Sequence, residues 1–224
     1  MPSDLNADQQ GLVEDVLTKE QQDALTPERV IEMLKEGNGR YVAGDLTIRN
    51  HKAQIRKAVL SQYPKAIILS CVDSRVPVED VFDRGIGDLF VARVAGNFVN
   101  TDILGSMEFA CKVSGSKVIL VLGHEHCGAV KSAIDKVELG NITDMLTKLM
   151  PAVEAGSEGY SGETTSKNEE FVHLVCEHNV RLNIERIRKE SPILREMEEA
   201  GEIAICGAVY DMDNGQVDFL EDRS

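Results

Sequence analysis

A chain of 224 residues, 42% hydrophobic and 28% charged, is long enough to bury one sizeable core, and no apolar run reaches the roughly 20 residues of a membrane span. The net charge of −14 repels phosphate backbones and argues against nucleic acid as a partner, while five cysteines, an odd number widely spread, argue against a disulfide framework. Met1 to Gln10 shows neither a secretory signal nor an Arg-rich transit peptide, so the expectation is a soluble cytoplasmic protein with reduced thiols and no membrane partner.

Residues 8 to 25 place Leu12, Val13, Val16 and Leu17 at helical spacing, on an apolar face too narrow to be stable alone. Thr26 and Pro27 read as the N-cap and first position of a helix carrying Val30, Ile31 and Leu34, which Gly37 to Gly39 is expected to stop. This gives an N-terminal helical arm over 1–37 and a single α/β catalytic domain over 38–224. A helix over 52–62 ends at Pro64. The run Ala66-Ile67-Ile68-Leu69 then reads as a buried strand leading into Cys71, Asp73 and Arg75. If the chain stays extended past Ser70, alternation sets those three on one side.

Pro77 opens a short helix with Val78, Val81 and Phe82, and Leu89 to Val94 is a second strand. Residues 102–113 read as a helix and Lys117 to Leu122 as a third strand that Gly123 ends; His124-Glu125-His126-Cys127-Gly128 then leads into a helix from Ala129 to Val137. Helical patterns over 141–154 and 168–189 flank the Gly- and Ser-rich loop 156–166. Ser191-Pro192 starts another helix, and Glu202 to Tyr210 is a strand that the Asp213-Asn214-Gly215 turn folds against Gln216 to Leu220. Alternating strands and helices predict an α/β fold: a central, mostly parallel β-sheet flanked by helices, with the N-terminal arm and a C-terminal helical and hairpin extension.

Two strand ends carry reactive side chains, and parallel strands of one sheet bring such ends together. Cys71 and Asp73 end one strand, and His124 and Cys127, two residues apart, follow another. A soft metal such as zinc takes thiolates and imidazoles at this kind of spacing. On the residues alone other readings stand beside it: Cys71 as a buried core thiol, Asp73 and Arg75 as a structural ion pair, and His126 as the ligand in place of His124. Structural roles are the expectation for His51, His173 and His178, and core positions for Cys111 and Cys206. Cys176 and His178 lie two apart in a helix and diverge.

Cys71-Val72-Asp73-Ser74-Arg75 together with His124, Cys127 and Gly128 resembles the two-part signature of the β-class carbonic anhydrases. The likeness extends from Asn38 to about Lys131, through Phe90 to Asn97, and returns at Asn179-Val180 and Gly207 to Asp211. It implies one Zn²⁺ per subunit on Cys71, His124 and Cys127, with Asp73 either occupying the fourth position or yielding it to water; a bidentate pair with Arg75 is the physical means expected to draw the carboxylate away. It implies reversible hydration of CO2 to bicarbonate by zinc-bound hydroxide, with Gln62 reaching across a subunit interface, Phe90 and Phe109 as apolar walls and Gly128 beside the substrate. A homodimer or homotetramer is implied as well. Hydrolysis of carbonyl sulfide or carbon disulfide on the same scaffold is the alternative. Some family members carry an inhibitory bicarbonate pocket built on a Trp; that position is Ile68 here, so no such pocket is expected although Arg93 and Tyr210 match its other two positions.

Overall fold

The computed structural model describes residues 12–221. Its elements in chain order are α1 (Lys19–Asp23), α2 (Pro27–Ala43), α3 (His51–Ala58), β1 (Ala66–Ser70), α4 (Val78–Val81), β2 (Leu89–Arg93) and α5 (Thr101–Glu108), which runs into a π-turn over Phe109–Val113. There follow β3 (Val118–His124), α6 (Gly128–Ile134), α7 (Gly140–Leu146), α8 (Met150–Ser157), α9 (Glu169–Glu190), α10 (Pro192–Glu199), β4 (Ala204–Tyr210) and β5 (Val217–Phe219). The sheet order is β2-β1-β3-β4-β5, parallel throughout except for the antiparallel β4–β5 hairpin, as expected.

Each strand sends alternate side chains to opposite layers. Ile67, Leu69, Ile119, Val121 and Ile205 pack under α5, α9 and α10, meeting Met107, Ile184, Ile187 and Leu194. Ala66, Ile68, Val118, Leu120 and Leu122 face the other way onto Val30 and Leu34 of α2 and Val78, Val81 and Phe82 around α4. A third cluster, from Cys71 and Phe98 through α6, α8 and α9, closes the end of the sheet where the strands finish.

Several elements differ from expectation. Of the helix expected over 8–25, residues 8–11 lie outside the described region, and 12–17 form no helix. Val13 instead bridges to Arg49, and a capping box of Thr18 and Gln21 starts α1 only at Lys19. Gly37 to Gly39 do not stop α2, which runs on to Ala43 and across the boundary drawn at 37/38. A Cβ on Gly37 would fall 1.9 Å from the Phe82 carbonyl oxygen, so this glycine serves close helix docking and the left-handed cap falls at Gly44. Gly123 likewise does not end β3, which continues to His124; a Cβ there would meet Val180 of α9 at 2.8 Å. Residues 141–154 form two helices, α7 and α8, instead of one.

One buried carboxylate ties the N-terminal segment to the sheet layer. Asp83, whose side chain is fully buried, accepts from Arg40 Nε at 2.6 Å, Arg49 Nη1 at 2.5 Å, Thr47 Oγ1 at 2.6 Å and Thr47 N at 3.1 Å. Burial alone would raise its pKa, but the bonds from Arg49, Thr47 and Arg40 outweigh it and hold the carboxyl at about 2.

Candidate metal centre

β1 stops at Ser70, and the chain after it turns instead of staying extended. Arg93, paired with Ser70 at the end of β2, organises that turn: Nη1 donates to the carbonyls of Cys71 at 3.1 Å and Asp73 at 3.2 Å, and Nη2 to that of Val76. Tight turning, not strand alternation, therefore brings Cys71, Asp73 and Arg75 together. Cys71 points inward, 4% exposed, and Val72 outward. Asp73 Oδ1 accepts from the Arg75 backbone N–H at 3.0 Å and from Nε at 2.9 Å, and Oδ2 accepts from Nη2 at 2.7 Å. That fork holds the Asp73 carboxyl at about 2 despite the opposing effect of burial.

His124 is the last residue of β3, paired with Tyr210 of β4. Its Nδ1 lies 2.8 Å from the carbonyl oxygen of Glu125, which can only accept, so Nδ1 carries the proton and Nε2 the lone pair. Nε2 is buried and has no hydrogen-bond partner. The chain then reverses through His126, in the left-handed region at φ 52°, and Cys127 caps α6. Cys71, His124 and Cys127 each bring one ligand atom within 4.8 Å of the others, all three buried.

This donor set suits a metal. Two sulfurs and an imidazole are soft, zinc-type donors, and the orphaned Nε2 faces them. Hydrogen bonds from Cys127 and from the Gly96 N–H, 3.3 Å from Sγ, hold the Cys71 thiol well below the ordinary range against the cost of burial. Sharing that proton, together with burial, pushes Cys127 up, so a cation replacing the proton would be held by both sulfurs. Asp73 is the nearest oxygen donor, its Oδ2 3.9 Å from His124 Nε2, but its oxygens are engaged by Arg75.

Behind these side chains stands a layer of α9 to which sequence reading assigned no supporting role. Cys176 donates its thiol to the His124 carbonyl at 3.3 Å. Asn179 Nδ2 donates to the Gly96 carbonyl at 2.9 Å, and Asn183 Oδ1 accepts from Val99 N at 2.7 Å, fixing the loop whose Gly96 amide meets Cys71. Two buried asparagines four apart on an otherwise apolar helix face were the available signal. Gly96 itself sits at φ 82°, and a Cβ there would approach Leu149 Cδ1 to 2.8 Å.

The structure brings together only two of the other expected substrate residues, Phe90 and Phe109. Phe90 and Phe109 pack edge to face, centroids 6.3 Å apart, in a cleft of about 750 Å³ between β2 and α5. Gln62 lines a different surface cleft with Val59 and Leu60, away from both rings on this chain. Gly128 opens α6 beside Cys127, with nothing within 4 Å of where a Cβ would stand. His126 Nδ1 pairs with Glu169 at 2.7 Å and His173 with Glu125 and Glu177. Cys111 is buried, Cys206 half-buried, and the Tyr210 hydroxyl lies 3.2 Å from that of Tyr41.

Residues 66–217 match the family model described as carbonic anhydrase. Carbonic anhydrase 2 of Mycobacterium tuberculosis (strain CDC 1551 / Oshkosh) is 34% identical over 189 residues, covering 82% of this chain and 87% of its own. The β-carbonic anhydrase CafA of Aspergillus fumigatus superposes with a TM-score of 0.69 at 24% identity, over 88% of this chain and 91% of its own. One of two tetrameric β-carbonic anhydrases of Sordaria macrospora gives 0.67 at 22% identity, over 86% of this chain and 95% of its own. The thiol and imidazole ends of β1 and β3 thus sit in a matched segment and a shared fold: the chain belongs to the carbonic anhydrase family, with the architecture of its β-class.

Proposed function

We propose that the chain holds one Zn²⁺ per subunit on Cys71, His124 and Cys127 and, as a homo-oligomer in the cytoplasm, interconverts CO2 and bicarbonate. The observation that carries this is the buried, unpartnered His124 Nε2 facing two sulfurs that share a proton. Zinc bound there would supply Lewis acidity that lowers the pKa of water. The rest falls to the chain. Arg75 engages both Asp73 oxygens, which would keep the carboxylate from ligating and leave it as a hydrogen-bond acceptor 3.9 Å from His124 Nε2. Gly96 and Glu125 fix the sulfur and the ring through their backbone groups.

Phe90 and Phe109 offer a small nonpolar molecule an apolar wall, and Gly128 leaves room beside Cys127. Gln62 requires a second chain to meet them. Exposed Val59, Leu60, Phe109 and Val113 supply an apolar surface for that chain, and a structural neighbour is tetrameric. Because the matched relatives are named carbonic anhydrases, hydration is the reading carried forward. Stopped-flow CO2 hydration on protein of measured zinc content tests it. Activity proportional to zinc and absent from Cys127→Ala is the expected result; zinc-loaded protein inert at alkaline pH overturns it.

A further inference from the structure

The ends of β3 and β4 gather a second set of ligating side chains outside the thiol centre. Glu125, His126 and Asp213 each place one ligand atom within 4.8 Å of the others. Glu125 and His126 belong to the reversal after β3, and Asp213 to the hairpin turn between β4 and β5. A backbone hydrogen bond from Glu125 N to Tyr210 O, 3.1 Å, holds these two strand ends side by side.

The imidazole is oriented as a metal-binding one is. Glu169 Oε2 holds His126 Nδ1 at 2.7 Å, which leaves Nε2 as the ring's ligating nitrogen, and Lys131 anchors the other Glu169 oxygen at 2.7 Å. A second imidazole borders the set. His173 Nδ1 lies 3.2 Å from Glu125 Oε1 without the alignment of a hydrogen bond, and it is a buried nitrogen with no partner of its own. Its Nε2 lies 3.4 Å from Glu177. Two carboxylates are thus brought together on a chain of net charge −14, and the Asp213 side chain makes no described bond to a cation.

We propose that Glu125, His126 and Asp213 form a second site, of carboxylate and imidazole character, for a divalent transition metal such as Zn²⁺ or Co²⁺. Its harder donors distinguish it from the thiolate centre, whose ligands His124 and Cys127 bracket Glu125 and His126 on the same reversal, and its partly exposed ligands make it the weaker and more readily exchanged of the two.

Cobalt separates the sites, because only a thiolate centre gives intense sulfur-to-cobalt charge-transfer absorption. Protein already carrying one equivalent of zinc is titrated with Co²⁺ near neutral pH, and bound metal is counted by equilibrium dialysis. The expected result is one further equivalent of Co²⁺, with weak visible bands, no charge transfer and no zinc released. Asp213→Asn and Glu125→Gln should each weaken that binding at least tenfold while keeping their first equivalent of zinc, which reports an intact fold. Three results overturn the proposal: no binding up to millimolar Co²⁺, binding only with charge transfer and zinc release, or undiminished binding in both variants. The first equivalent of zinc, counted before cobalt is added, tests the thiolate centre separately, so failure of the second site is distinguishable from failure of the first.

Discussion

Arg75 grips both oxygens of Asp73, Nε to Oδ1 at 2.9 Å and Nη2 to Oδ2 at 2.7 Å, within a turn only two residues wide. This fork favours ionised Asp73, a carboxylate that would compete for a metal at the proposed centre unless Arg75 occupied it. Arg75→Ala should therefore lower CO2 hydration roughly 10- to 100-fold, the worth of a charge-assisted pair of about 1.5–3 kcal/mol. Zinc content should stay at wild-type level, and the rate, expected to rise toward alkaline pH as hydroxide replaces water or carboxylate, should do so only at higher pH than in wild type. A pH–rate profile with parallel metal analysis reads both; loss of zinc in the variant would show that Arg75 builds the site instead of opening it.

Gly96 presents its N–H to Cys71 Sγ from a φ of 82°. In Gly96→Ala the new Cβ meets Leu149 and the left-handed backbone costs about 1–2 kcal/mol. The loop should shift and the sulfur lose its donor, weakening zinc binding roughly 10- to 100-fold. Competition against a chromophoric chelator measures this, with Asn179→Ala, which frees the Gly96 carbonyl, changing affinity in the same direction.

Asp83 is the stability counterpart. Asp83→Asn keeps its shape and tolerates its φ of 47°, yet leaves Arg40 and Arg49 without the charge they face. Breaking such a buried pair costs about 3 kcal/mol, or roughly 6–12 °C in Tm for a chain of this size. The folded pKa lies below the unfolded one, so the stabilisation is present in full above about pH 4 and fades as pH falls toward 2. Thermal melts should show a constant gap between wild type and variant above pH 5, closing in acid.

Leu60 is 95% exposed and adjoins Val59 and Gln62. If the proposed oligomer forms through this surface, Leu60→Asp should convert it to monomer in light scattering and depress hydration, because Gln62 would then face no second chain. Retained assembly with full activity would move the interface elsewhere.

Much of this was legible beforehand because the chemistry sits at strand ends. The apolar runs around Ile67 and Leu120 are too branched and too continuous for anything but buried parallel strands, that around Val91 forms the half-buried edge strand beside them, and Cys71, His124 and Cys127 follow the first two directly. What sequence reading missed depends on neighbours distant along the chain. Gly37 and Gly123 resemble breakers locally, yet each marks a place where another backbone or side chain comes too close for a Cβ. Alternation past Ser70 failed because the guanidinium of Arg93, twenty-odd residues later, gathers three carbonyls and curls the segment. The Asn179 and Asn183 supports gain meaning only once α9 is laid against the Gly96 loop.

The π-turn at Phe109–Val113 has a consequence for how this enzyme can diversify. One widened turn at the end of α5 leaves Ala110 and Cys111 in the core and Phe109, 53% exposed, in the cleft with Phe90. The wall of the cleft and the packing of the helix are thereby placed on separate residues. Evolution can exchange the ring at 109 for another side chain without reopening the core beneath it.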